Sequence, residues 1–156
     1  EDDPKNTYIY KELLESEGLD LMCLENLLEN VSDYYGIIIQ NEVDFLIIDY
    51  HLDKQVKYKG IDVLKAVREY DDTIYSILLT NYDLEDFKAE FGEYDYEISK
   101  KEFSIQYKNI AEKIKRACEL REDNKLVSLM ESKKNKDDQM ISLLEEINSK
   151  LKKDQG

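Results

Sequence analysis

The sequence NEVDFLIIDYHLD, residues 41–53, decides the fold that the chain is expected to adopt. Its centre, residues 43–48, is nearly all apolar and rich in β-branched and aromatic side chains. Such a run is typical of a strand buried on both faces inside a parallel sheet. The run ends at Asp49, and strand carboxyl ends face the ligand crevice of an open α/β sheet. Asp49 is therefore expected to be held rigidly on one side and solvated on the other, as a nucleophilic or metal-binding carboxylate requires. The alternative is an ordinary aspartate that caps a turn.

The rest of the first 118 residues alternates between strand-like and helical patterns. Further strands are predicted at residues 19–24, 75–79 and 94–99. The first helix is predicted from Pro4, with Asp3 as N-cap, to Gly18, and the second from Leu24 to a kink or end at Gly36. A third helix is predicted after Gly60, around Val63, Leu64 and Val67. Two more are predicted around Leu84 and Phe87 and from Phe103 onward. This alternation indicates an α/β fold with a doubly wound parallel sheet.

Composition excludes several classes of protein. The net charge is −14, from 36 acidic and 22 basic residues, so binding of nucleic acid through its phosphates is disfavoured. No apolar run approaches the roughly 18 residues of a membrane span, and no secretory signal is expected. Cys23 and Cys118 are too few for a disulfide framework and are predicted to be reduced thiols of a cytoplasmic protein.

A change in composition near residue 119 predicts a domain edge, since most of the excess acid lies in residues 1–118. Residues 119–156 follow a heptad-like pattern at alternating steps of four and three, formed by Leu126, Met130, Lys133, Asp137, Met140, Leu144, Ile147 and Leu151. Charged residues interrupt the apolar pattern in the middle. The tail is predicted to be one long helix that forms a homodimer through a coiled coil, and a helical hairpin turning near Asn135 is the alternative.

Polar residues of complementary chemistry are expected at one edge of the predicted sheet. Glu1 and Asp2 precede the first helix, and Asp49, Thr80 and Lys100 each lie at or just after a strand end. The sequence EDDP at residues 1–4 is followed by DFLIIDYHL at 44–52, GIDVLKAVRE at 60–69, ILLTN at 77–81 and EISKKEF at 97–103. Taken in order and at this spacing, these motifs resemble those of response-regulator receiver domains over about residues 1–119.

The resemblance implies a role for each of these residues. Asp49 would be the phosphoacceptor, receiving a phosphoryl group from a histidine kinase or a phosphotransfer protein. Thr80 would hydrogen-bond a phosphoryl oxygen, and Lys100 would pair with another. The metal ligands would be Glu1, Asp2, Asp49 and the backbone carbonyl of His51, and the ion would be Mg²⁺. The signal would leave through the last helix into the tail, with no enzymatic activity beyond the phosphoryl cycle of the protein itself.

The sequence also departs from the family pattern. Receiver domains have a five-stranded sheet in the order 2-1-3-4-5, and the first strand precedes the acidic pair. No such strand precedes Glu1 here, so an apolar strand just upstream, or one from another molecule, is expected to complete the sheet. Lys101 replaces the usual proline, and Asn81 replaces a small residue. Glu97 takes the usual aromatic position, for which Tyr94 or Tyr96 is an alternative.

Two classes of function therefore compete. Asp2, Asp49, Thr80 and Lys100 favour a phosphorylated receiver. The three replacements favour a pseudo-receiver, which would serve as an interaction or dimerisation module without the phosphoryl cycle.

Overall fold

The computed structural model describes residues 3–81 and 93–154. The helices are α1 (Pro4–Ser16), α2 (Tyr34–Gln40), α3 (Gly60–Arg68) and α4 (Lys100–Asp154), and a 3-10 turn covers Val31–Asp33. The strands are β1 (Phe45–Asp49), β2 (Tyr75–Thr80) and β3 (Tyr96–Ser99). The chain divides into two compact units, Glu1–Cys118 and Glu119–Gly156. In the described part of the chain no helix is long and apolar enough to cross a membrane.

The first unit is an α/β fold with a parallel sheet, as the alternating pattern predicts. Within the described residues the sheet has three strands in the order β1-β2-β3. One face packs against α1 and the beginning of α4, through Tyr10, Leu14, Phe103, Ile110 and Ile114. The other face packs against α2 and α3, through Tyr34, Ile38, Val63 and Val67. Helices therefore cover both faces, but the five-stranded order is not present in these residues.

The predicted ends of α1 are confirmed. The side chain of Asp3 accepts a hydrogen bond of 2.9 Å from the backbone N–H of Lys5, and Pro4 opens the first turn, where no donor is needed. Gly18 follows the helix with φ +87°, a conformation that glycine adopts without steric cost. Local capping chemistry thus marks both ends of this helix, and Tyr10 and Leu14 pack it into the core.

The strand predicted at residues 19–24 is wrong, because these residues form no strand. Their exposure nevertheless alternates as in a strand: Leu19, Leu21 and Cys23 are half-buried, and the residues between them are exposed. A strand needs a neighbour to bond its backbone, and β1 pairs only with β2 in the described sheet. Residues 19–24 therefore have the exposure pattern of a strand but no neighbouring strand in the described sheet.

The helix predicted from Leu24 to Gly36 is also wrong. Residues 24–30 are not helical, and α2 begins at Tyr34 and continues through Gly36. Two tyrosines bind the backbone of Leu28 instead. The N–H of Leu28 donates to the Tyr34 hydroxyl at 3.1 Å, and the Tyr58 hydroxyl donates to the Leu28 carbonyl. The two hydroxyls lie 2.7 Å apart, so side chains satisfy the groups that a helix would have paired.

The remaining predictions vary in outcome. The strands expected at residues 75–79 and 94–99 and the helix after Gly60 are present, with β3 shorter than expected. The helix expected around Leu84 and Phe87 lies outside the described residues. In the second unit, residues 119–154 are helical throughout, so no turn at Asn135 makes a hairpin.

The Tyr34–Tyr58 hydrogen bond gives a first testable prediction. We expect Tyr58→Phe to lower the free energy of unfolding by about 1–3 kcal/mol, because the Leu28 carbonyl loses its donor. Urea denaturation at neutral pH measures this value. Tyr70→Phe, at an exposed tyrosine, is the matched control and should change it by less than about 0.5 kcal/mol. Equal losses in the two variants would contradict the assigned role of Tyr58.

The same tyrosine predicts a dependence of stability on pH. Burial raises the pKa of the Tyr58 hydroxyl above its ordinary value of 10.0, and the hydrogen bond with Tyr34 raises it further. The folded protein therefore keeps this proton when the unfolded chain begins to lose it. The contribution of Tyr58 is complete below about pH 10 and is lost as the pH rises above that value. The decline in stability above pH 10 should be shallower in Tyr58→Phe than in the original protein.

Candidate functional site

The ends of the three strands bring the predicted residues to one edge of the sheet. Asp49, the last residue of β1, is in register with Leu79 of β2. Thr80 ends β2 and is in register with Ser99, the last residue of β3. Lys100 follows immediately and begins α4. Because the strands are parallel, these ends share the edge at which open α/β sheets bind ligands.

The side chains of Asp49 and Lys100 form an ion pair. The Lys100 ammonium contacts Oδ2 of Asp49, and the two side chains are 12% and 2% exposed, respectively. The other carboxylate oxygen, Oδ1, accepts a hydrogen bond of 3.2 Å from the backbone N–H of His51. Asp49 is thus buried rather than solvated on one side, which corrects the expectation from its position in the sequence. A buried carboxylate is stable only with such partners.

Gly60, the first residue of α3, closes the site from the side of the β1–α3 loop. Its N–H donates a hydrogen bond of 3.0 Å to the carbonyl of Tyr50. A Cβ atom at position 60 would lie 1.9 Å from the carbonyl oxygen of Asp49. Only glycine permits this approach of α3 to the end of β1. The sequence marked Gly60 as a turn residue, and nothing in the local pattern showed this contact with the backbone of Asp49.

Thr80 is buried at the end of the central strand and is 1% exposed. The backbone next to it is fixed, since the N–H of Tyr50 donates to the carbonyl of Leu79 at 2.9 Å. On the far side, Ser99 accepts a hydrogen bond of 3.3 Å from the N–H of Glu102 and caps the first turn of α4. These contacts hold the threonine hydroxyl and the lysine at adjacent strand ends.

The structure distinguishes the two tyrosines considered for the aromatic position. Tyr94 packs against the cluster that contains Tyr50, the residue after Asp49. Its hydroxyl donates a hydrogen bond of 2.6 Å to Oε2 of Glu97. Tyr96 packs against the opposite cluster, and the Lys113 ammonium lies 5.0 Å from the centre of its ring. Tyr94 is therefore the aromatic residue on the same side of the sheet as Tyr50.

The described residues do not by themselves form a metal site. Residues 3–81 and 93–154 contain no group of three histidine, cysteine or acidic side chains that could hold an ion. Of the predicted ligands, Asp49 is at the strand end with Lys100 against it, and His51 is exposed with its N–H directed to Asp49. Glu1 and Asp2 lie outside the described residues.

A cavity of about 700 Å³ lies beside β1. Its wall includes Phe45, Leu46, Ile47 and Ile48 of β1, residues 19–24 and Tyr10 of α1. The four β1 residues are only half-buried, whereas β2 is buried from Ser76 to Thr80. The strand that the sequence predicts to be buried on both faces is thus open along its outer edge within the described residues.

The comparisons with known proteins do not assign the chain to a family. No protein-family model matches the sequence, and no curated protein matches it.

The close approach of Gly60 gives a second prediction. Gly60→Ala should lower the free energy of unfolding by about 1–3 kcal/mol or more, because its Cβ would overlap the Asp49 carbonyl. Gly36→Ala is the control, since a Cβ there meets nothing within 4 Å and Gly36 lies inside α2. That substitution should raise stability by about 0.5–1 kcal/mol. Thermal unfolding of both variants checks the opposite signs, and a neutral Gly60→Ala would refute the contact.

Proposed function

We propose that this chain is a receiver-like phosphoacceptor domain in which Asp49 takes up a phosphoryl group. The observation that supports the proposal best is the ion pair of Asp49 and Lys100 at the strand ends. A carboxylate nucleophile, a hydroxyl and an ammonium from three adjacent strand ends are the groups that phosphoryl transfer uses. The motifs that resemble receiver domains contribute all three residues.

In the proposed reaction, an oxygen of Asp49 attacks the phosphorus of a phosphohistidine. The P–N bond breaks, and its electron pair stays on the imidazole nitrogen of the donor. Lys100 then exchanges its contact with the carboxylate for one with a phosphoryl oxygen, and the Thr80 hydroxyl donates to another. Lys100 thereby keeps a negative partner throughout, so its charge is never left unpaired in a buried position.

The proposed ligands of Mg²⁺ are Glu1, Asp2, Asp49 and the backbone carbonyl of His51. The bound ion would reduce the repulsion between these carboxylates and an incoming phosphoryl group. The proposed partner is a histidine kinase or a phosphotransfer protein, and we propose that the domain works in the cytoplasm. Cys23 and Cys118 are not joined by a disulfide. We further propose that residues 119–156 join two copies of the chain.

A second candidate is a pseudo-receiver that binds a partner without phosphorylation. The observation that favours it is the burial of Asp49, whose carboxylate is already occupied by Lys100 and the His51 N–H. In that case the ion pair is a structural contact between the ends of β1 and β3. Lys101 and Asn81, where receivers have proline and a small residue, agree with this candidate.

The two candidates differ in a third prediction. With a small-molecule phosphodonor and Mg²⁺, intact mass should show one added phosphoryl group, which hydroxylamine removes. Asp49→Asn should abolish the addition, whereas Asp53→Asn, at an exposed aspartate on the same loop, should keep it. Without any addition to the original protein, under conditions that label a known receiver, the pseudo-receiver becomes the better candidate. Labelling that persists in Asp49→Asn would place the acceptor elsewhere.

We also propose that the complete sheet is the five-stranded receiver sheet in the order 2-1-3-4-5. The missing first strand would lie in the cavity beside β1, between β1 and residues 19–24. Two observations support this position: the β1 residues on the cavity are half-buried, and residues 19–24 alternate in exposure like an edge strand. A strand there would pair the outer backbone groups of β1, which cost about 1–3 kcal/mol each when buried without partners.

This part of the proposal gives a fourth prediction. Fusing the strand-forming sequence Val-Ile-Leu-Val-Ile directly before Glu1 should raise the thermal midpoint and protect the amides of β1 from hydrogen exchange. The control fusion, Val-Pro-Leu-Pro-Ile, keeps the length and apolar character but lacks two N–H donors. Protection of β1 by the first fusion alone supports the missing strand. No difference between the fusions would count against it.

A further inference from the structure

The helix of the second unit carries a broad apolar surface that is exposed in the described residues. Beyond Leu120, its large apolar side chains are between 52% and 69% exposed, and they are Leu126, Val127, Leu129, Met130, Met140, Ile141, Leu143, Leu144, Ile147 and Leu151. They fall in two groups, residues 126–130 and 140–151, separated by about nine mostly charged residues. A helix with such a surface gains most of its stability from a packing partner.

The heptad register of this helix follows from its sequence. With Leu126 at position d, the positions a and d are filled by Leu126, Met130, Lys133, Asp137, Met140, Leu144, Ile147 and Leu151. The opposite position, f, is filled by Ser128, Asn135, Ser142 and Ser149. Between residues 126 and 151, small polar residues at every f position and apolar residues at most a and d positions are typical of a coiled coil with one buried side.

The two charged residues of the seam, Lys133 at d and Asp137 at a, distinguish the orientation of a partner helix. Two parallel copies in register would place Lys133 against the partner's Lys133 and Asp137 against the partner's Asp137. Each of these layers would bury two like charges, which is strongly unfavourable. Two antiparallel copies bring position a against position d instead, so that opposite charges can meet.

We propose that the partner is a second copy of this chain, packed antiparallel about a two-fold axis at Asn135. In this register Lys133 faces the partner's Asp137, and Asp137 faces the partner's Lys133. The neighbouring layers are all apolar: Met130 faces the partner's Met140, and Leu126 faces the partner's Leu144. The paired layers extend over residues 126–144, about 27 Å of helix. This inference rests on the self-association proposed above, and not on phosphorylation of Asp49.

The flanking positions fit the same register. Antiparallel helices bring e against e and g against g, so Val127 meets the partner's Ile141, and Leu129 meets the partner's Leu143. In the parallel arrangement Leu129 would lie beside the partner's Lys134. Near the two-fold axis, Lys134 and Lys136 each meet their own copy, and these long side chains can turn their charges to water at the exposed flanks.

A shift of the antiparallel register by one heptad is the closest competitor. It would pair Leu126 with the partner's Leu151 and Met130 with the partner's Ile147, and would have as many fully apolar layers as the register centred on Asn135. Lys133 would then face the partner's Leu144, and Asp137 the partner's Met140, so both charges would lie in the seam without a partner. In the register centred on Asn135, Ile147 and Leu151 instead meet the partner's Asp123 and Glu119 near the ends of the overlap, where these acidic side chains can reach water. Unpaired charges in the middle of the seam cost more than these end contacts. Charge pairing therefore selects the register centred on Asn135.

Disulfide cross-linking of the full chain tests orientation and register. In a background of Cys23→Ser and Cys118→Ser, a mixture of Leu126→Cys and Leu144→Cys chains should form a disulfide-linked heterodimer in high yield. Leu126→Cys alone should not link to itself, and mixing it with Leu151→Cys should give little product. Self-linking at position 126 would show parallel helices, and preferential linking of 126 to 151 would show the shifted register. Either result overturns the proposal.

A charge-reversal cycle tests the seam without cysteines. Lys133→Asp or Asp137→Lys should each raise the dimer dissociation constant about tenfold or more, and the double reversal should restore it. The matched control is Lys134→Asp with Asp138→Lys, a pair with the same residue types and the same four-residue spacing outside the seam. Its coupling should be no more than about twofold, as for exposed helix pairs.

The two experiments also separate the possible failures. A monomer at tens of micromolar by light scattering would overturn the self-association together with the register. A dimer in which the seam pair couples no more than the control pair would overturn the register alone. Circular dichroism of each variant checks that the helix is retained, so that a lost dimer reflects the seam.

Discussion

The ion pair of Asp49 and Lys100 is the contact on which the arrangement of the candidate site depends. It joins the end of β1 to the residue that follows β3, while Thr80 ends the strand between them. Removing one member would leave the other charge buried without a partner, which typically costs about 3–5 kcal/mol.

The pair therefore constrains the chemistry as well as the fold. A reaction that uses Oδ2 of Asp49 has to replace its contact with the Lys100 ammonium, and a new anion would keep this buried ammonium paired. A phosphoryl group bound to Asp49 would meet this requirement.

The unequal burial of the sheet explains why β1 departs from its sequence pattern. The apolar residues of β1 are those of a central strand, yet Phe45–Ile48 are half-buried and form part of a cavity wall. On the other side of this cavity, residues 19–24 keep the alternating exposure of a strand. Two segments with strand patterns thus border the same space without a strand between them. The additional strand proposed above would pair with both segments at once.

Local signals predicted the parts of the fold that depend on neighbouring residues. Asp3, Pro4 and Gly18 set the ends of α1 through capping and a positive φ angle, and the apolar runs placed β1 and β2. The sequence failed where distant side chains decide the structure. The hydroxyls of Tyr34 and Tyr58 bind the backbone of Leu28 and exclude the helix that the leucine spacing indicated.

The order of motifs predicted that Asp49, Thr80 and Lys100 follow strand ends. The burial of Asp49 and the contact with Gly60 depend on how α3 packs, and no local pattern carries that information.

Lys133 and Asp137 in the helical tail show how charges in an apolar seam can select one packing arrangement although they lower stability. Leucine at positions 133 and 137 would bury more apolar surface and would permit parallel, antiparallel and shifted pairings with similar energies. Lys133 and Asp137 give up that burial, but the penalty for leaving either charge unpaired differs between these arrangements. Because the two residues lie two positions on either side of Asn135, an antiparallel two-fold axis at Asn135 satisfies both at once. In the proposed dimer, the two charged residues of the seam therefore select one arrangement. In the proposed dimer, Lys133 and Asp137 interrupt the heptad pattern. They also fix the register in which residues 126–130 of one copy pack against residues 140–144 of the other.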